Sequence, residues 1–257
     1  MKIKIISKIG LLILFLIAVG CTDLIESPVA PSIEPDSGKV VYDGLDFSEP
    51  VILITDNNRI RITEPDQVID CQGTILKGGQ GIGELISVIN TSGITIRNCN
   101  FQGNTEAVIG IYESSDITIQ NNTFQYIRKP IELGYGGFSI LVKSGGNIRI
   151  EDNYFENNQI GILIEGKPAN YVENVLIDNN TILNTLMIAA IKCRRCRHVT
   201  IAGNNLESNG KPEYFEQQRI VGIDLHEVNQ AKVFDNIVIE SSSDGIGVPG
   251  EVWEDEI

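Results

Sequence analysis

Six stretches of the chain, 94-ITIRNCNF-101, 117-ITIQNNTF-124, 148-IRIEDNYF-155, 175-VLIDNNTI-182, 199-VTIAGNNL-206 and 231-AKVFDNIV-238, align without gaps. Their starts fall 23, 31, 27, 24 and 32 residues apart. Each opens with period-2 alternation, the pattern of a strand with one buried face. Each then meets Asn, Asp or Gly, which tolerate the left-handed backbone of a tight turn. A period of this length with short strands predicts a solenoid of stacked coils, each covering the apolar edge of the next. The sixth column of the alignment reads Cys99, Asn122, Asn153, Asn180, Asn204 and Asn236. Stacked amides at that spacing can hydrogen-bond from coil to coil.

This pattern resembles the right-handed parallel β-helix, the pectin-lyase-like architecture. The resemblance covers about residues 50–248 and implies an all-β solenoid of about seven to eight coils. It speaks for fold and is almost silent about function. Residues 38–257 form the predicted β-helix domain, with 38–67 as its N-terminal cap or first coil. Cys71 precedes Cys99 by 28 residues, about one coil. Such neighbours are either bridged or simply buried, and buried thiols are the favoured expectation. Cys193 and Cys196 have the spacing of half a zinc site, but no second pair completes one, so they are expected to be structural.

The rest of the composition bounds the function. The chain has 257 residues with 20 Lys+Arg against 34 Asp+Glu, a net charge of -14. Such acidity argues against nucleic acid as a partner, because phosphate neutralisation dominates that affinity. The one long apolar segment, Ile9–Val19, follows Lys2, Lys4 and Lys8 and precedes Gly20 and Cys21. That is the layout of a secretory signal over residues 1–20. Ala18-Val19-Gly20-Cys21 resembles the lipobox of bacterial lipoproteins, although Leu is usual where Ala18 stands. The resemblance implies lipidation at Cys21 and a membrane contact through that anchor alone, in the periplasm or at the cell surface. Residues 21–37 then read as a flexible tether.

Counting back from each repeat start exposes the preceding strand of each coil. One column, Ile111, Val142, Ile164, Cys193 and Leu225, is apolar and expected inside. Its flanking columns should therefore point outward. One holds Tyr112, Lys143, Glu165, Arg194 and His226; the other holds Gly110, Leu141, Leu163, Lys192 and Asp224. The count assumes no bulge, and the longer turn GKPANYVEN makes Glu165 the least secure member. Lys192 then lies under Asp224 and Arg194 under His226, a square of about 5 by 7 Å. His supplies a group that titrates near neutrality, and Lys and Arg can neutralise a carboxylate beside a carbon losing its proton. Lys192, Arg194, Arg195, Arg197 and His198 also make a basic strip on an acidic chain, suited to focusing an acidic ligand.

Gly222-Ile223-Asp224-Leu225-His226-Glu227 is similar to the active-site motif of β-helical mannuronan C5-epimerases. The resemblance implies a site of His226, Asp224 and Lys192; Arg194, from the column count, joins Lys192 in binding the substrate carboxylate. Leu225 replaces that motif's Pro, and Val221 stands where the family places a catalytic Tyr, so Tyr214 would have to substitute. Arg195, Arg197, Lys143, Tyr112 and Tyr135 are the expected substrate contacts, the tyrosines suiting sugar rings. The expected function is that of a cell-envelope lipoprotein binding or acting on an acidic polysaccharide, as a lyase or C5-epimerase if an enzyme. The alternative is a non-catalytic surface module that binds glycan or a protein partner. The sequence names no certain cofactor; acidic residues in the turns could bind Ca²⁺, although no dense carboxylate cluster compels it.

Overall fold

The eight-residue repeats set the architecture because their first, third and eighth positions are apolar and their fifth and sixth are turn formers. In the computed structural model, which describes residues 47, 49–55, 59–129, 136–187, 189–207, 221–239 and 245–248, the chain winds as a β-solenoid with every rung pairing in parallel. Between Ile75 and Phe234 it makes about six full turns, flanked by shorter rungs at each end. The expectation of seven to eight coils counts those end rungs as complete.

Three faces run along the solenoid. The first carries Ile160–Glu165 and the opening halves of Phe138–Glu151, Ala189–Ala202 and Val221–Phe234. The second carries the beginning of each aligned repeat, so that Ile117, Ile148, Val175, Val199 and Ala231 stack in register. The third begins in the Asn corner and carries Phe101, Phe124 and Phe155, whose rings stack with centroids 5.0 and 4.7 Å apart. All three rings are fully buried.

The corner before the third face explains the Asn column. Its fifth-position residues Asn98, Asn121, Asp152, Asn179 and Asp235 have φ of 52–56°, and Gly203 has 63°. Asn and Asp accept this left-handed geometry better than most side chains do. The turn throws the sixth residue inward. There each Oδ1 accepts both the backbone N–H and the side-chain N–H of the preceding rung: Asn122 to Asn153, Asn153 to Asn180, Asn180 to Asn204 and Asn204 to Asn236, all at 2.9–3.0 Å. The amide also donates to a carbonyl of an earlier strand, as Asn153 does to Ile119. A column of polar groups is thereby buried without an unpaired donor, which is the condition for burying it at all.

At the N-terminal end of this ladder Cys99 bonds to Cys71 in a disulfide. This corrects the favoured expectation of buried thiols. The register places the pair with Cα atoms 4.8 Å apart, within bridging range. Cys193 and Cys196 are free and buried. The bond between Cys71 and Cys99 closes a loop with a sequence separation of 28, so its reduction is expected to cost about 3–4 kcal/mol. In a solenoid that loss stays local. Hydrogen exchange in reductant should therefore accelerate at residues 60–101 and leave residues 175–206 unchanged.

A second departure concerns Leu141 and Leu163. Both face away from the solenoid interior, as the column count requires, yet they are buried in a separate apolar cluster with Ala107, Phe138 and Ile160, against which Met187 packs. A bend at the entry to the first face puts two consecutive residues inside, such as Val108–Ile109 and Ala190–Ile191. Phe138 and Ile160 are thereby turned onto the outer side beside the leucines.

Candidate functional site

The outer columns of the first face form in the register that the sequence count predicts. Tyr112 pairs with Lys143, Lys143 with Glu165, Glu165 with Arg194 and Arg194 with His226. Beside it Leu141, Leu163, Lys192 and Asp224 follow one another. The GKPANYVEN turn does not disturb Glu165, because it closes on itself through paired backbone bonds between Lys167 and Asn170. Lys192, Arg194, Asp224 and His226 thus come together on two adjacent rungs. Lys192 Nζ donates to Asp224 at 2.7 Å, with both side chains largely shielded. Arg194 and His226 are more open, at 36% and 38% exposure.

The network beyond this square is richer in carboxylates than the sequence reading allows. Arg194 reaches Glu165 at 3.3 Å and Glu227 at 3.7 Å, and Arg195 donates to Glu227 at 2.6 Å. His226 Nδ1 lies 3.3 Å from the same Glu227. Arg197 leaves the cluster: it pairs with Glu173 and lies 4.5 Å over the Tyr171 ring. The expected basic strip is therefore neutralised residue by residue, because rung stacking puts an acid in reach of each of its Lys and Arg cations. Glu227 sits at a left-handed corner (φ 54°), and the Arg195 guanidinium holds its carboxyl below the usual range. Behind the square, the hydrogen bond to Cys196 and burial push the Cys193 thiol up, so it is a neutral packing group.

The bonds differ in a way that matters for ligands. Among the described residues Arg194 is held by two long contacts, and its Nε, like His226 Nδ1, has no hydrogen-bond partner there. Lys143, two rungs away in the same column, is exposed and has no carboxylate partner among the described residues. Tyr112 lies four rungs from His226, about 19 Å along the axis. Its hydroxyl donates to Glu84 at 2.5 Å, and burial together with that carboxylate pushes the phenol far above its ordinary pKa. It is a hydrogen-bond donor at every physiological pH. Gly110 makes this possible, since a Cβ there would meet Glu84 and the Tyr112 ring at 2.7–2.8 Å.

Tyr214, Tyr135 and Cys21 lie outside the described residues. Among the described residues no three His, Cys, Asp or Glu side chains gather as a metal site. Glu165, Glu173 and Glu227 are the members that column counting passed over as partners. All three could be found by asking which acids neighbour each base by one rung or one corner.

The parallel rungs, the Asn-lined corner and the three faces define a β-solenoid protein. The family described as right handed beta helix region matches residues 84–251, well over half of the chain, and the chain belongs to that family. No curated protein and no solved structure matches it. Membership establishes the β-helix and leaves the ligand to be argued from the site.

Proposed function

We propose that the chain is an exported, lipid-anchored β-helix that binds an acidic polysaccharide along its first face. The observation that carries this reading is the pair Lys143 and Arg194. One cation has no carboxylate partner among the described residues, the other is loosely held, and they share a column two rungs, about 10 Å, apart. A uronate chain lying along the axis presents carboxylates that can take Lys143 and displace Glu165 or Glu227 from Arg194. Arg offers the planar fork suited to that exchange. Lys192 and Asp224, already bonded to each other, present a donor and an acceptor to sugar hydroxyls. Export rests on the Lys-rich start, the apolar run and Cys21. The Cys71–Cys99 bond suits an oxidising compartment.

Calorimetric titration with hexamers of mannuronate and galacturonate, beside neutral hexamers, tests the reading. Binding of an acidic hexamer should weaken as salt rises. Lys143→Ala and Arg194→Ala should each weaken it about tenfold, or about 1.4 kcal/mol. Equal affinity for neutral and acidic hexamers would sink it.

The His226–Asp224–Lys192 arrangement favours a second, catalytic reading on the same face. His226 takes the C5 proton of a uronate while Arg194 neutralises its carboxylate. In a lyase the electron pair left at C5 forms a C4=C5 double bond as the C4–O bond breaks, and the departing oxygen takes up the proton that His226 removed. An epimerase returns a proton to C5 from the opposite side. Ultraviolet absorbance of unsaturated uronate and NMR of sugar configuration detect the two outcomes. Turnover that survives His226→Ala at the wild-type rate excludes His226 as the base.

A further inference from the structure

The second face carries a concavity of about 500 Å³ that none of the foregoing uses. It lies on the corner column immediately before each aligned repeat. Asp116, Asn147, Asn174 and His198 occupy it, all with φ of 53–56°. Asn147 donates to Asp116 at 2.8 Å and Asn174 donates to Asn147 at 2.9 Å. The bonds all run toward Asp116, which leaves the Asn174 side-chain Oδ1 without a donor among the described residues. His198, one rung further, makes no hydrogen bond to it. The floor is the outward column Thr118, Arg149, Leu176 and Thr200, in register over four rungs.

Hydrogen-bonding capacity is therefore unspent here too. Neither threonine hydroxyl nor the His198 ring has a partner among the described residues. The groove's Arg149 cation, by comparison, is spent, and the Asp116 carboxylate keeps its negative charge, which disfavours anionic ligands. Arg149 is held by Glu151 at 2.8 and 2.7 Å, and Asp116 accepts from Ser115 and Asn147. A ligand matched to this groove is uncharged, rich in hydroxyls and able to set an apolar face on Leu176. The polar groups repeat every 4.8 Å over about 14 Å. That spacing is close to one 1,4-linked pyranose per rung. An extended peptide, whose same-side groups recur about every 6.8 Å, falls out of step.

We infer that this groove binds about three units of a neutral, linear polysaccharide, on a face separate from the Lys143–Arg194 column. The full chain is titrated with cellohexaose, xylohexaose, mannohexaose and chitohexaose, followed by calorimetry and amide NMR. At least one hexamer is expected to bind and to shift the amides of Asn174, Leu176 and Thr200. Asn174→Ala with His198→Ala should weaken that binding at least tenfold and leave titration by acidic hexamers unchanged. Leu176→Glu, an exposed-side change that spares the core, should abolish it. Arg194→Ala should leave it intact even if it abolishes acidic binding, so the two faces fail or succeed separately. Absence of binding by all four hexamers overturns the inference. So does loss of neutral binding in Arg194→Ala, or displacement of the neutral hexamer by a hexauronate or an extended peptide.

Discussion

Phe124→Ala is expected to destabilise the protein by about 3–5 kcal/mol, the range for deleting a large buried aromatic. Phe124 is the middle ring of three, fully buried, with Phe101 and Phe155 packed on its two sides. Its removal opens a cavity between two rungs that cannot collapse, because strand hydrogen bonds fix the rung spacing on every face. The loss also falls at an interface between neighbouring coils. In a quasi-one-dimensional fold, weakening one such interface uncouples the units on either side. Urea unfolding should show a lower midpoint and a broadened or split transition. A single transition shifted by less than 1 kcal/mol would mean that the aromatic stack contributes little to the coupling between rungs.

Asn153→Ala is the second large effect, with a loss of about 3–5 kcal/mol. The side chain accepts from the Asn122 backbone and amide and donates to Ile119 and Asn180. Truncation orphans several of these groups in the core, at about 1–3 kcal/mol for each left unpaired. Asn153→Asp separates packing from bonding. It keeps the acceptor for Asn122 but aims a carboxyl at the Ile119 carbonyl and the Asn180 Oδ1. Burial among acceptors favours the protonated acid, so its pKa is raised in the folded state. The native form then binds more protons than the unfolded one above the unfolded pKa, and stability falls as pH rises through that window. Unfolding midpoints measured from pH 4 to 8 should therefore decline in Asn153→Asp relative to wild type. A flat difference across that range would remove the ladder's acceptor geometry from the account.

The fold was legible because two signals coincide in each repeat. Alternation assigns the inward side, and Asn at the sixth position marks a corner that only a few residues can turn. Counting from that corner gives the register of Lys192 under Asp224 and Arg194 under His226 without a coordinate. The state of Cys71 and Cys99 was not legible, since spacing fixes adjacency but not whether two thiols join. Burial of Leu141 and Leu163 was missed because an outward column is not always a wet one. The bend that turns Phe138 and Ile160 onto the same side leaves no mark in a period-2 pattern. The neutralising acids escaped for another reason. Glu227 belongs to a corner and Glu173 follows an insertion, so neither lies in the columns that alternation defines. Asp116, Asn147, Asn174 and His198, by contrast, stand one place before each repeat and could have been read directly.

The most direct test is a crystal structure of the protein with a bound hexauronate. The account predicts a chain lying along the solenoid axis on the first face, with one carboxylate against Lys143 and another, two rungs on, against Arg194 in place of Glu165 or Glu227. A hexauronate seated on any other face, or crossing the rungs with Lys143 and Arg194 untouched, would contradict it.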